Sequence, residues 1–220
     1  MESDGCKGFV APGLRQVGAG WVVFAFLLGL HTPAGAQEAT GAGSWEPERL
    51  FAAGRYEATL GSGVMFSPFL ATANRPTINY TLTSLQLGYM LGDVRGDGWW
   101  RGNLELAGEG FGSALFEGAG NYIAGGTCWL RYNFVPRRSW GLIPYAQAGA
   151  GLVGTDIDRA LIGQSLNFQL GLAVGVRYLV SQNWSVSLEY RYQHISNANT
   201  GPRNVGVNAN GPILGVSYFF

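Results

Sequence analysis

The chain has 220 residues, a formal net charge of zero, 13% charged residues and 35 glycines. That balance excludes a basic nucleic-acid surface and an acidic tail. Aromatic residues reach 13%, and few charges with many glycines and aromatics suit a chain whose outside is not water.

The N-terminus reads as a secretory signal. Lys7 and Arg15 supply a positive region, Trp21 to Leu30 a short apolar run, and Ala34-Gly35-Ala36 a small-residue cleavage site before Gln37. The run is shorter than the roughly 20 apolar residues a spanning helix needs. Removal of residues 1–36 takes Cys6 and His31 with it, leaving Cys128 as the single thiol and His194 as the single imidazole. No internal disulfide and no multi-histidine metal site can then form, and no metal or cofactor is expected.

Residues 37–53 read as a periplasmic leader, and 54–220 as the folded unit. Within it, alternating apolar and polar residues predict strands over 55–66, 78–91, 99–108, 121–134, 141–153, 165–180, 184–196 and 212–220. Pro68 and Pro76 mark a loop after the first strand, the Gly-rich stretch 109–120 a loop after the third, and 154–164 and 197–211 two further loops. Tight turns are expected at 92–97, 136–139 and 181–183. Eight strands with connections that alternate between short and long match an outer-membrane barrel.

Facing separates this barrel from a soluble sandwich. Strand 165–180 puts Leu166, Phe168, Leu170, Leu172, Val174, Val176 and Tyr178 on one side, and Asn167, Gln169 and Arg177 on the other. Arg101, Glu105, Arg131, Glu189 and Arg191 join the polar side, which predicts a charge-paired lumen too narrow for a pore. The fold class expected is all-β, an eight-stranded antiparallel transmembrane barrel in the cell outer membrane.

Strand 184–196 ends in a pattern with chemical content. Trp184, Val186, Leu188, Tyr190, Tyr192, His194 and Ser196 share the outward face. His194 and Ser196 are two apart, so their Cβ atoms lie about 6.5–7 Å apart and point the same way. A serine hydroxyl becomes a nucleophile when a nearby base takes its proton, and a third group orients that base. The pair alone is weak support, because a histidine beside a serine at a loop entrance commonly satisfies local hydrogen bonds. Tyr190, Tyr192 and Phe168 would line the surface below the pair, where each also reads as part of an aromatic belt.

The longer stretch EYRYQHISNANTGPRNVGVNANGPILGVSYFF resembles the end of the lipid A 3-O-deacylase (PagL-type), or acyloxyacyl hydrolase-related, family. The matching features are the aromatic strand before His194, the run His194 to Ala198, the Asn204-x-Gly206 pair, and a last strand with Gly215, Tyr218 and Phe220. The resemblance implies a serine esterase acting on lipopolysaccharide, with His194 as base, Ser196 as nucleophile and Asn197 as an oxyanion-side donor beside backbone N–H groups around Ala198 and Asn199. By spacing, the family's orienting glutamate falls on Asn208. Either Asn208 orients His194 through its carbonyl oxygen, or Asp156 or Asp158 stands in, or the site is inactive and the barrel has a structural or lipid-binding role. Lipid A and outer-membrane lipid are the expected partners; nucleic acid is not, and a homodimer is left open.

Overall fold

The structure, a computed structural model, describes residues 47–67, 77–137 and 141–220. The expected signal at 1–36 and most of the 37–53 leader lie outside the described residues, as do 68–76 of the first loop and 138–140 beside the 136–139 turn.

Eight antiparallel strands form one closed barrel in sequence order: β1 (Tyr56–Met65), β2 (Asn79–Met90), β3 (Gly102–Glu117), β4 (Tyr122–Phe134), β5 (Leu142–Thr155), β6 (Leu166–Leu179), β7 (Trp184–Ser196) and β8 (Val207–Phe219). β8 closes on β1, with Gly61 opposite Gly215. Closure pairs the backbone of every strand on both sides, the condition a sheet must meet to sit in lipid.

Three expectations are corrected. β3 runs on to Glu117, so most of the stretch read as a loop at 109–120 is strand. Its glycines are not turn signals. Gly108, Gly110 and Gly112 occupy outward positions between the inward Glu109, Phe111 and Ser113, and alternation continues through them. The connection after β3 is therefore only 118–121, whereas the one after β2 spans 91–101 and holds a 3-10 turn at Gly98–Trp100. The expected alternation of short and long connections does not hold at these two positions. Likewise β8 begins at Val207 rather than Pro212, which moves Asn208 from a loop onto a strand.

The facing is as the pattern implies. Leu85, Leu87, Leu106, Leu130, Leu172, Val174 and Leu214 are exposed on the outer wall. Inside, Arg131 contacts Glu105 at 3.0 Å and Glu57 at 3.3 Å, Arg177 contacts Glu57 at 3.0 Å, and Arg191 contacts both Glu109 and Glu189 at 2.8 Å. Gln147 accepts from Arg131 and donates to Glu189.

Apolar clusters bound this polar band at both ends. At the end where β8 finishes, Leu50 and Phe51 of the leader pack with Met90, Val135, Ile143, Leu179 and Phe219. The Phe51 carbonyl accepts from Asn103 Nδ2 at 2.7 Å, and Glu48 pairs with Arg101 at 2.5 Å. The last part of the leader thus plugs the barrel end. At the far rim, Tyr80, Leu82, Phe111, Ile123, Ile157, Ile162, Ile195, Val207 and Ala209 form the second cluster.

Trp129 fills the polar band and donates to Glu109 at 2.8 Å. It fits because Gly171 has no side chain: a Cβ there would lie 2.2 Å from the indole ring. Gly171→Val is expected to lower unfolding stability by about 1–3 kcal/mol through overpacking. Gly110→Ala, whose added Cβ would meet nothing within 4 Å, leaves it unchanged. Denaturant midpoints in detergent micelles check both.

Candidate active site

His194 and Ser196 are the last two outward residues of β7. Their inward neighbour Ile195 is fully buried, as is Ala209 on β8, and both belong to the far-rim cluster. The outward residues are thereby mounted on a packed wall. His194 lies directly across from Asn208 in the β7–β8 register, and Leu170 and Phe168 of β6 lie across from His194 and Ser196.

The structure brings His194 and Asn208 together: Nδ1 and Oδ1 are 2.6 Å apart. Tyr192 donates its hydroxyl to the same Oδ1 at 2.8 Å. Ser196 is half-buried beside them and, among the described residues, forms no hydrogen bond to the ring. Such contacts commonly tighten only when substrate binds.

The two aspartates are engaged elsewhere. Asp156 accepts from Asn121 Nδ2 at 2.7 Å and from the backbone N–H groups of Asn121 and Tyr122 at 2.8 and 2.9 Å. The Asn121 side chain first, then those N–H groups, hold its exposed carboxyl below the usual carboxylate range. Its anchoring of the 118–121 connection is therefore fully present above that range and is lost only as pH falls through the lowered value. Asp158 caps the short helix α1 (Arg159–Ile162) by accepting from Ala160 N at 2.8 Å.

Asn197 begins the loop after β7 and is fully buried. Its Nδ2 donates to Ile162 O at 2.8 Å and Arg203 O at 2.7 Å, and its Oδ1 accepts from Asn199 N at 3.0 Å. Its own N–H donates to Asn204 Oδ1 at 3.0 Å. Both side-chain protons and both backbone N–H groups named here are occupied in building the loop. Of residues 197–199, only Ala198 keeps an N–H that makes no hydrogen bond among the described residues. Ala198 and Asn199 adopt positive φ values of 50° and 61°, a conformation uncommon outside glycine and asparagine.

Sequence reasoning gave no role to Asn204 or Gly206 beyond their place in a motif. Asn204 accepts from Asn197 N and donates to Asn199 Oδ1, clamping the turn. Gly206 sits at φ 72°, and a Cβ there would lie 3.3 Å from His194 Cε1. The signal for both was the Asn-x-Gly spacing itself, which marks a left-handed position.

A closed barrel with an apolar outer wall, and a histidine–serine–asparagine group at the rim of that wall, defines a small membrane β-barrel with a candidate hydrolytic site facing lipid. The family model described as Lipid A 3-O-deacylase (PagL) matches residues 83–217. That is more than half of the 220 residues, and the chain belongs to this family. It is an integral outer-membrane protein.

Solved structures share the fold. Neisserial surface protein A (NspA) matches with TM-score 0.54 and 20% identity, over 76% of this chain and 98% of that one. The outer membrane enzyme PagL matches with TM-score 0.50 and 18% identity, over 72% and 97%. No curated protein sequence matches.

Two predictions test the site's framework. Asp156→Ala and Asp158→Ala remove loop anchors that do not touch the imidazole, so each should leave the ¹⁵N signals of the His194 ring in micelles unchanged. Gly206→Ala combines backbone strain with pressure on the imidazole and should shift those signals. Spectra of histidine-labelled protein measure all three.

Proposed function

We propose that the chain is an esterase that removes the 3-O-linked acyl chain of lipid A, with Ser196 as nucleophile, His194 as base and Asn208 as the group that orients the imidazole. The observation that carries this reading is the 2.6 Å contact between His194 Nδ1 and Asn208 Oδ1 on the lipid-facing wall, in a chain of the lipid A 3-O-deacylase family.

An imidazole that donates from Nδ1 to a carbonyl oxygen keeps its lone pair on Nε2. That lone pair takes the Ser196 proton as Oγ attacks the ester carbonyl. The negative charge on the tetrahedral oxygen is met by the Ala198 N–H, with the positive φ values at Ala198 and Asn199 turning the backbone beside Ser196. The carbon–oxygen bond to the sugar then breaks, and His194 gives its proton to the departing sugar oxygen, which leaves as a hydroxyl. Water attacks the acyl-enzyme with His194 again as base. The fatty acid leaves and Ser196 regains its proton. No step calls on a metal or cofactor.

The position suits the substrate. Acyl chains of an outer-leaflet lipid run along the barrel wall, and Phe168 and Tyr190 are exposed there at 45% and 54%. A soluble esterase would have to lift the chain out of the bilayer. Here the scissile ester need only move sideways to the rim.

An amide keeps the tautomer but supplies no charge to the imidazolium that forms during attack. Turnover should therefore be slow, and Asn208→Glu should raise kcat by about tenfold. Incubation of lipopolysaccharide with the protein, followed by mass measurement of lipid A, should show loss of one hydroxyacyl chain. Ser196→Ala should abolish that loss, a fall of at least about 10³. Unchanged lipid A mass with the parent protein would overturn the reading and favour an inactive lipid-binding barrel, whereas activity that survives Ser196→Ala would overturn the nucleophile.

A further inference from the structure

A carboxylate and an amide differ in one respect that matters here. The two carboxylate oxygens are equivalent, so either can face an imidazole. An amide has one acceptor end and one donor end. If the amide turned over, Nδ2 would donate to His194 Nδ1, the ring proton would move to Nε2, and the ring could no longer take a proton from serine. The same asymmetry explains the loss of about 10⁴ in kcat when a triad aspartate is replaced by asparagine. A site with Asn208 must therefore fix which end of the amide faces the ring.

We propose that Tyr192 is the positioning residue that fixes it. This rests on the reading of His194 as base. Tyr192 lies across from Asn210 in the register, one step from the His194–Asn208 pair, and its hydroxyl reaches diagonally to Asn208 Oδ1 at 2.8 Å. His194 Nδ1 meets the same oxygen at 2.6 Å. Among the described residues the Tyr192 hydroxyl has no other hydrogen-bond partner. Below it lies an apolar groove of about 600 Å³ on the outer wall, lined by Leu130, Ala146, Ala148, Leu172, Val174 and Tyr190.

The environment determines the direction of the bond. A phenol has one proton. On the lipid-facing side of the wall, a phenol proton left without an acceptor is strongly disfavoured. Tyr192 must donate, and only the oxygen end of Asn208 can accept. The amide is held with Oδ1 toward both donors, and His194 is left as the Nδ1–H tautomer. The neighbouring Tyr190 donates to Asn210 Oδ1 at 2.5 Å. That parallel bond does not touch the imidazole and serves as a control.

Two measurements test the proposal. The first needs no turnover. With ¹⁵N-labelled histidine in micelles, the His194 signals, identified as those that Asn208→Ala shifts, should report the Nδ1–H tautomer. Tyr192→Phe should give a mixture of tautomers, and Tyr190→Phe should not. An Nε2–H tautomer in the parent protein, or no change in Tyr192→Phe, overturns the proposal. The second is a double-mutant cycle. Tyr192→Phe should lower kcat by about tenfold with KM within about twofold, and by less than about twofold in the Asn208→Glu background, where the two oxygens are equivalent. Equal losses in both backgrounds overturn it. Should the parent protein prove inert on lipid A, the proposed function falls while the tautomer result still decides the role of Tyr192.

Discussion

The buried charges of the lumen are the constraint on which the rest of the barrel depends. Glu57 is shared by Arg131 and Arg177, and Glu105 lies directly across from Arg131 in the β3–β4 register. Removal of one partner from such a network leaves an unpaired buried charge, at a cost of about 3–5 kcal/mol. A slip of one residue would do worse. Because side chains alternate with period two, it would send the arginines of a strand into lipid and its leucines into the lumen. The network therefore acts as a register lock. The same register sets His194 opposite Asn208 on the outer wall, although neither residue touches a lumen charge.

Two apolar clusters keep this lock dry at its ends. The cluster at the end where β8 finishes includes Phe51, whose ring lies 5.5 Å from that of Phe219 with the Arg177 guanidinium 5.5 Å from its centre. The cavity left among Gln86, Arg131, Tyr145 and Glu189 is about 20 Å³, about the room of one water molecule. Such an interior conducts nothing. The far-rim cluster has a second effect, since Ile195, Val207 and Ala209 stiffen the two strands whose outer faces carry the candidate site. The loops above it are tied to each other by Asn197, which bonds both Ile162 of one loop and Arg203 of the other.

Much of this was legible in the chain because a barrel wall has two solvents and alternation records both. The lumen set Glu105, Arg131, Arg177, Glu189 and Arg191 follows from facing alone. Glu57 and Glu109 did not, the first because β1 is diluted by glycine, the second because Gly108 to Gly112 mimics a loop. In a membrane strand, outward glycine leaves alternation intact, so glycine density is a poor breaker signal there. The boundary of β8 was missed for a related reason: Asn208, Asn210 and Gly211 look like turn residues, yet two of them face outward as polar partners of β7. The pairing of His194 with position 208 was visible only as spacing. The contact of Tyr192 with Asn208 was not visible at all, because a diagonal contact across two strands depends on register and tilt.

The amide at 208 gives the site its particular character. A carboxylate at this position would place a full charge on the lipid-facing wall, near an apolar groove lined by Leu172, Val174 and Ala148. An amide avoids that desolvation. It then requires a second group to define its orientation, and a tyrosine is well suited: its ring joins the apolar wall while its hydroxyl supplies one directed proton. The charge missing from the imidazolium is the other side of that exchange. In the proposed mechanism a neutral orienting group places more of the transition-state stabilisation on the oxyanion side, where Ala198 and Asn199 adopt positive φ values. Strain of this kind persists only when the surroundings over-determine it. Asn197 and Asn204 do so with five hydrogen bonds between them, to Ile162, Arg203, Asn199 and each other. In the proposed mechanism the buried Asn197, its partner Asn204 and the tyrosine below the loop thus take over, by geometry, work that a single charge does elsewhere.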